Sequence, residues 1–185
     1  MTVFLARHGN EVSGFRGGWS SRGLDEIGMR QEEALAEYLF ETQSINGIQK
    51  IYSSDLPRAM QTAQTVADRL ALPVIRKSDF REVNNGTLAG MANDEADRLY
   101  PDLYWKRLEW NERYPKGESP KDFCARITNE WKSFLSEVSK EDENVLLITH
   151  GGVIQVIVSL LKGEKYSNRK SFGSVSCCDL IKIDM

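Results

Sequence analysis

The stretch "VLLITHGGVIQVIVSLLKG", Val145 to Gly163, joins two patterns in nineteen residues. A short apolar run long enough for a buried strand ends at Thr149, and His150-Gly151-Gly152 forms a corner. A segment apolar nearly all round then follows to Lys162, as expected of a helix pressed on a sheet, with Gly163 placed to stop it. Strand, corner and buried helix together read as one unit of an α/β sheet. The chain has only 2 histidines, and the other stands on the same kind of corner, in "VFLARHGNE" at the end of the apolar run Thr2 to Ala6.

Outward from that unit the alternation continues. "IQKIYSS" (Ile48 to Ser54), "LPVIR" (Leu72 to Arg76) and "CCDLIKID" (Cys177 to Asp184) read as further strands. Asp25 is a candidate cap for a helix with an apolar stripe of Ile27, Ala34, Leu35, Tyr38 and Leu39. Pro57 suits the first turn of a second helix. Ser119-Pro120 opens a third, with Phe123, Ile127, Trp131, Phe134, Leu135 and Val138 on one face. This order predicts an α/β fold with a mostly parallel sheet in a single domain over residues 1–185. The aromatic, charged segment 84–117 breaks the rhythm and is expected to form a lid-like insertion over one end of the sheet.

Composition narrows the function classes. With 24 basic and 27 acidic residues among 185, the net charge of -3 provides no general field for nucleic acid or an anionic membrane, so an anion site must be built locally. The 3 cysteines, Cys124, Cys177 and Cys178, fit neither a disulfide framework nor zinc spacing. No apolar stretch nears the ~20 residues that span a bilayer, and the N-terminus has no signal-peptide pattern. A cytoplasmic protein without metal or cofactor is the expectation. Its oligomeric state is not legible.

Ligands of parallel sheets bind outside the carboxyl ends of the strands, where helix N-termini also point. Both histidines stand there, with Arg7 beside His8 and Arg58 just inside the helix after the second strand. Guanidinium forks match phosphate oxygens, so these four residues suggest a phosphate pocket, and Glu82, after a further presumptive strand, a proton carrier. A strand-end histidine is more often structural. The coincidence of both histidines, two arginines and a glutamate moves the reading toward phosphate chemistry.

"ARHGNE", "YSSDLPRAMQTA", "REVNNGTLAG", "YPKGESPKDFCARI" and "LLITHGG" stand in the order seen in the histidine phosphatase superfamily, phosphoglycerate mutase-like branch, which the chain resembles over nearly its whole length. The resemblance implies a three-layer α/β/α sandwich and metal-independent phosphomonoester chemistry through a phosphohistidine. It makes His8 the nucleophile, Arg7, Arg58 and His150 the phosphate clamp, and Glu82 the proton donor. Asn10, Arg16, Gly151 and Glu118 are candidate substrate contacts, although an arginine in a Gly/Ser loop is more often merely solvated and the segment around Glu118 and Ser119 equally suits a helix cap. Where the family usually has Glu or Gln and then Thr or Ser after R-H-G, this chain has Asn10 and Glu11, and the loop Gly9 to Gly28 is short. The stretch Tyr100 to Phe123 resembles that of α-ribazole phosphatases and their broad-specificity relatives. Tyr104, Trp105 and Trp110 stack on a substrate or, more commonly for such side chains, pack within the insertion.

Mutases of the superfamily are similar but longer, with a tail that closes the site, whereas this chain stops at Met185 directly after its last strand. Hydrolysis of a small phosphorylated metabolite is therefore the expectation. Mutase-type transfer and a non-catalytic phosphate-binding module are the alternatives.

Overall fold

The computed structural model describes residues 1–185. Five strands, β1 (Thr2–Arg7), β2 (Ile48–Ser53), β3 (Val74–Arg76), β4 (Asn144–Thr149) and β5 (Leu180–Asp184), form one sheet in the order β3-β2-β4-β1-β5. All pairings are parallel except β1 with β5. Six helices accompany them: α1 (Glu26–Glu41), α2 (Gln43–Asn46), α3 (Pro57–Leu70), α4 (Asn93–Leu99), α5 (Pro120–Val138) and α6 (Gly151–Leu161).

Alternation along the strands makes the three layers. Side chains of successive strand residues point to opposite faces, so one apolar run supplies two cores. Val3, Leu5, Val145 and Leu147 pack under Phe123, Ile127 and Phe134 of α5 and Val153, Val156 and Ile157 of α6. Phe4, Ala6, Leu146 and Ile148 pack on the other face against Leu35 and Leu39 of α1 and Ala59, Ala63 and Val66 of α3. The chain is thus an α/β/α sandwich. Its core is aromatic on the α5 side, where fully buried Phe134 meets Tyr52 and Phe80 edge-to-face at 5.0 and 5.4 Å. Truncating Phe134 to alanine would cost about 3–5 kcal/mol.

Helix ends follow local chemistry. Asp25 caps α1 by accepting from the Gly28 amide at 2.8 Å, and Ser119 with Asp122 forms a reciprocal capping box on α5. Gly163 follows α6 with a φ of +65°, the left-handed conformation that favours glycine at a helix end.

Several expectations shift. Helix α1 buries Gly28, Glu32, Leu35, Ala36 and Leu39, while Ile27 and Tyr38 stand more than half exposed. The buried face thus lies one position round from the apolar stripe: Gly28 meets the backbone of Asn10, and Ala36 packs in the core with Ala59, Ala63 and Val66 of α3. The last strand starts at Leu180, since Cys178 takes a positive φ of 60° and turns the chain. No strand immediately precedes Glu82. Strand β3 ends at Arg76 and a 3₁₀ turn, Ser78–Phe80, intervenes. Buried Phe80 pins that turn into the core, and the Thr149 hydroxyl donates to its carbonyl at 2.8 Å.

Within 84–117, Leu88, Leu108 and Tyr114 form a small cluster of their own. Trp105 packs edge-to-face on Phe123 at 5.5 Å and Trp110 lies 6.4 Å from Tyr166, so both indoles have intramolecular partners. No helix is long and apolar enough to cross a membrane.

Candidate active site

Strand order assembles the site. Neighbouring β1 and β4 pair Arg7 with Thr149, so the residues that follow, His8 and His150, come side by side with ring centroids 5.0 Å apart. Strand β2 lies on the other side of β4, and α3 leads Arg58 back over the same end. His8, Arg58 and His150 are each 2% exposed or less.

The hydrogen bonds settle the state of the His8 ring. Its Nδ1 lies 2.6 Å from the Gly9 carbonyl, which can only accept, so Nδ1 carries the proton. Nε2 is left with its lone pair and accepts from Arg58 Nε at 3.1 Å. Burial first, and then the charge of Arg58, lower the His8 pKa from 6.5 to about 3. The close turn needs glycine at position 9, where a Cβ would lie 2.6 Å from the Gly28 carbonyl oxygen. The Gly9 amide is held by Thr62 Oγ1 at 3.1 Å.

His150 has the opposite tautomer. Its Nε2 lies 2.7 Å from Ser54 Oγ, and that oxygen already accepts, weakly, from the Leu56 amide at 3.4 Å. The Ser54 hydroxyl has no other acceptor, so its proton is directed to Nε2, which leaves Nδ1–H as a donor. Burial, with Arg58 next in effect, holds the His150 pKa well below the ordinary imidazole range.

Three buried donors around these rings have no partner: His150 Nδ1, Arg58 Nη1 and Arg7 Nε. Buried polar groups are normally paired, and a concentration of unpaired donors in one place fits an anion with several acceptor oxygens. The remaining guanidinium nitrogens orient the forks. Arg7 Nη1 donates to the Val175 carbonyl at 3.0 Å and Arg58 Nη2 to the Gly18 carbonyl at 2.8 Å. Glu82 closes the group beside the first turn of α6. One carboxylate oxygen accepts from the Gly152 amide and the other from its neighbour Val83, both at 3.0 Å. Beyond Gly152 lies a cleft of about 230 Å³, bordered by Trp105, Lys106, Gln155, Tyr166 and Lys170.

Arg7, His8, Arg58, Glu82 and His150 thus come together. Gly151, first in α6, sits beside the Arg7 guanidinium. The side chains of the other candidate contacts have partners within the chain. Asn10 donates to the capping Asp25 carboxylate at 2.6 Å, because the short loop brings it back over the start of α1. Arg16 pairs with Asp97 of α4 and lies over the Tyr104 ring at 4.3 Å. Both oxygens of Glu118 are bound by Arg126, at 2.7 and 2.9 Å.

Two residues, Ser54 and Arg126, were given no role by the sequence, and Glu11 stood out there only as a departure from the family pattern. Ser54 sets the His150 tautomer, and a serine at the very end of an apolar strand was the available signal. Glu11 stands 3.4 Å from Arg58 Nε, a carboxylate where the resemblance leads one to expect a hydroxyl. Arg126 sits between Phe123 and Ile127 on the buried side of α5, and an arginine interrupting an apolar stripe is itself a signal. No three His, Cys, Asp or Glu side chains are grouped to hold a metal ion.

Residues 3–185 match the model of the histidine phosphatase superfamily (branch 1). The chain is 30% identical to a broad-specificity phosphatase of Saccharomyces cerevisiae, covering 97% of this chain and 80% of that protein. It is also 30% identical to a 2,3-bisphosphoglycerate-dependent phosphoglycerate mutase of Leifsonia xyli, covering 87% of this chain and 77% of the mutase. The chain spans only about a third of the length (32%) of the 6-phosphofructo-2-kinase/fructose-2,6-bisphosphatase of Gallus gallus, at 29% identity over 85% of this chain. Among solved structures, YhfR of Bacillus stearothermophilus superposes with a TM-score of 0.84 at 25% identity, covering 99% of this chain and 90% of that one.

Proposed function

The chain belongs to the histidine phosphatase superfamily, and from that premise we propose that it is a metal-independent phosphomonoesterase acting through a phosphohistidine at His8 on a small phosphorylated metabolite. One observation carries the reading: the unprotonated Nε2 of His8 stands in the midst of three buried, unpartnered donors. A nucleophile needs a free lone pair, and a phosphoryl group needs donors for its equatorial oxygens.

In this reading the ester's phosphate is bound by Arg7 Nε, Arg58 Nη1 and His150 Nδ1. Arg58 Nε, which covers the His8 lone pair, yields it as phosphorus approaches. His8 stays neutral because a buried imidazolium between two guanidiniums is costly, so no proton has to be removed before attack. The Nδ1–H bond to the Gly9 carbonyl takes up the positive charge that grows on the ring during attack. Fixed donors of this kind are commonly the largest catalytic term. Glu82 gives its proton to the departing alcohol oxygen, then as carboxylate accepts one from the water that cleaves the phosphohistidine. The alcohol portion lies toward the cleft beyond Gly152.

The test is single turnover with ³²P-labelled p-nitrophenyl phosphate, quenched in base. Label stable to base and lost in acid is expected on His8, and absent from His8→Ala; label persisting in that variant refutes the assignment. Similarity to mutases favours one second reading, return of the phosphoryl group to an acceptor. Steady release of inorganic phosphate that an added phosphoglycerate does not suppress distinguishes hydrolysis from it.

A further inference from the structure

Glu82 stands on an irregular segment, and a proton donor there must be held to within a fraction of an ångström to act. Its carboxylate is fixed by two amides, but those amides are useful only if the backbone from 79 to 84 is itself fixed. One side chain does most of that. Arg126 Nη1 donates to the carbonyls of Asp79 at 2.7 Å and Arg81 at 3.0 Å, and Nη2 to the carbonyl of Glu82 itself at 3.1 Å. Nε and the second Nη2 proton hold the Glu118 carboxylate at 2.7 and 2.9 Å. Glu118 in turn accepts from the Asn84 amide at 2.8 Å, gripping the segment on the far side of Glu82.

All five N–H groups of this guanidinium are therefore engaged, three on carbonyls before or at Glu82 and two on the carboxylate that holds the residue after Val83. The arrangement needs a planar fork. An ammonium has three donors and cannot span both sides. The ion pair is largely enclosed, with side chains 18% and 15% exposed, so solvent competes little for it. Trp19 Nε1 adds a second donor to the Glu82 carbonyl at 2.7 Å, from the loop between β1 and α1.

We infer that Arg126, with Glu118 as its counter-ion, is the positioning residue for Glu82, acting on leaving-group protonation through the backbone without touching the phosphate. The inference rests on the reading of Glu82 as proton donor and deepens it. It also gives Glu118 a role other than contact with substrate.

The experiment compares kcat/KM on p-nitrophenyl phosphate, whose phenolate leaves with little help, and on glycerol 2-phosphate, whose alkoxide needs a proton. The enzymes are the parent, Glu82→Gln, Arg126→Gln, Arg126→Lys and the double variant Glu82→Gln/Arg126→Gln. Arg126→Gln is expected to lose ~10–100-fold more on the alkyl ester than on the aryl one, since displacement of a catalytic group by about 1 Å costs up to ~10²-fold. Arg126→Lys should not restore it. The double variant should be no worse than Glu82→Gln on the alkyl ester, because a mispositioned acid and an absent one are the same defect.

Equal losses on both esters in Arg126→Gln, or multiplying losses in the double variant, overturn the inference while leaving Glu82 as the acid. If Glu82→Gln itself fails to discriminate the esters, the acid reading falls and this inference with it. Circular dichroism and thermal melting show which variants are folded. Should Arg126→Gln not fold, Glu118→Gln decides: it keeps an acceptor for the Asn84 amide but loses the charge that holds Arg126, and it must show the same ester preference, by roughly 3–10-fold, or the inference fails.

Discussion

Both histidines of this chain are buried and neutral, so acid should unfold it through them before its carboxylates are protonated. In the unfolded chain each imidazole takes a proton near pH 6.5, whereas folded His8 refuses one until about pH 3 and His150 is also held well below its ordinary range. Between those limits the unfolded state binds more protons. Stability is therefore full above pH 6.5 and falls as pH falls, by ~1.4 kcal/mol per pH unit for each histidine. His8 alone would withdraw about 5 kcal/mol across its window, and His150 acts in the same direction. That is a large share of a domain's usual ~5–15 kcal/mol. Two carboxyls, one buried and one half-buried, act the other way. Glu32 and Glu130 are raised, chiefly by burial, so the folded chain takes their protons first and gains stability as pH falls, which reduces the measured slope. Urea unfolding in phosphate-free buffer at intervals from pH 7 to 5 measures the slope, and His8→Gln should remove ~1.4 kcal/mol per pH unit from it. Proton NMR of the imidazole C–H groups supplies the direct check, with only 2 histidines to assign. A midpoint near 6.5 for either ring in the folded protein, or an unfolding free energy that does not change between pH 6.5 and 5, refutes the reasoning.

Ser54→Ala should free the His150 tautomer and lower kcat/KM about tenfold on aryl and alkyl phosphates alike, for the ~1–2 kcal/mol that a lost buried hydrogen bond costs; an unchanged rate would separate Ser54 from the site. Gly152→Ala would set a Cβ 2.3 Å from Glu82 Oε1 and push that carboxylate aside, so alkyl-ester turnover should fall selectively while circular dichroism shows the fold retained; equal losses on both esters would contradict this. Arg58→Ala removes charge stabilisation common to every phosphate, and both esters should lose comparably, by roughly 2.7–4 kcal/mol in kcat/KM if it behaves as one oxyanion donor. Prolonged dialysis against EDTA should leave turnover unchanged, and loss restored by a divalent ion would contradict the proposed role of the arginines.

The elements that align the site were legible because each depends on local spacing. Apolar runs of strand length, Pro57 at a first helical turn and Ser119 before α5 need only neighbours to be read, and they placed Arg7, His8, Arg58 and His150 at one end of the sheet. What was not legible depends on distant parts of the chain. Asn10 and Glu118 have side chains suited to either a substrate or a protein partner, and only the folded backbone brings Asp25 and Arg126 to them. The antiparallel direction of β5 carries no signature in its residues, since an edge strand of either sense reads the same. Glu82 was found by its company, although a 3₁₀ turn and coil separate it from the strand it was expected to follow.

Strand β1 lies between β4 and β5, and this has a consequence for the order in which the molecule comes into being. Residues 2–7 leave the ribosome well before their partners at 144–149 and 180–184 have been made. Arg7 in addition leans on the Val175 carbonyl and offers its own carbonyl to the Cys178 amide. The β2, α3 and β3 region can find its neighbours early, but the first strand has to wait with its apolar side chains uncovered. Closing so long a loop is slow rather than prohibitive, since each doubling of length adds only ~0.6 kcal/mol. His8 is thus translated well before the strands that seat it. A nascent chain carries this imidazole in water until β4 and β5 have been made, and only then does it acquire the burial and the neighbouring His150 that hold it neutral.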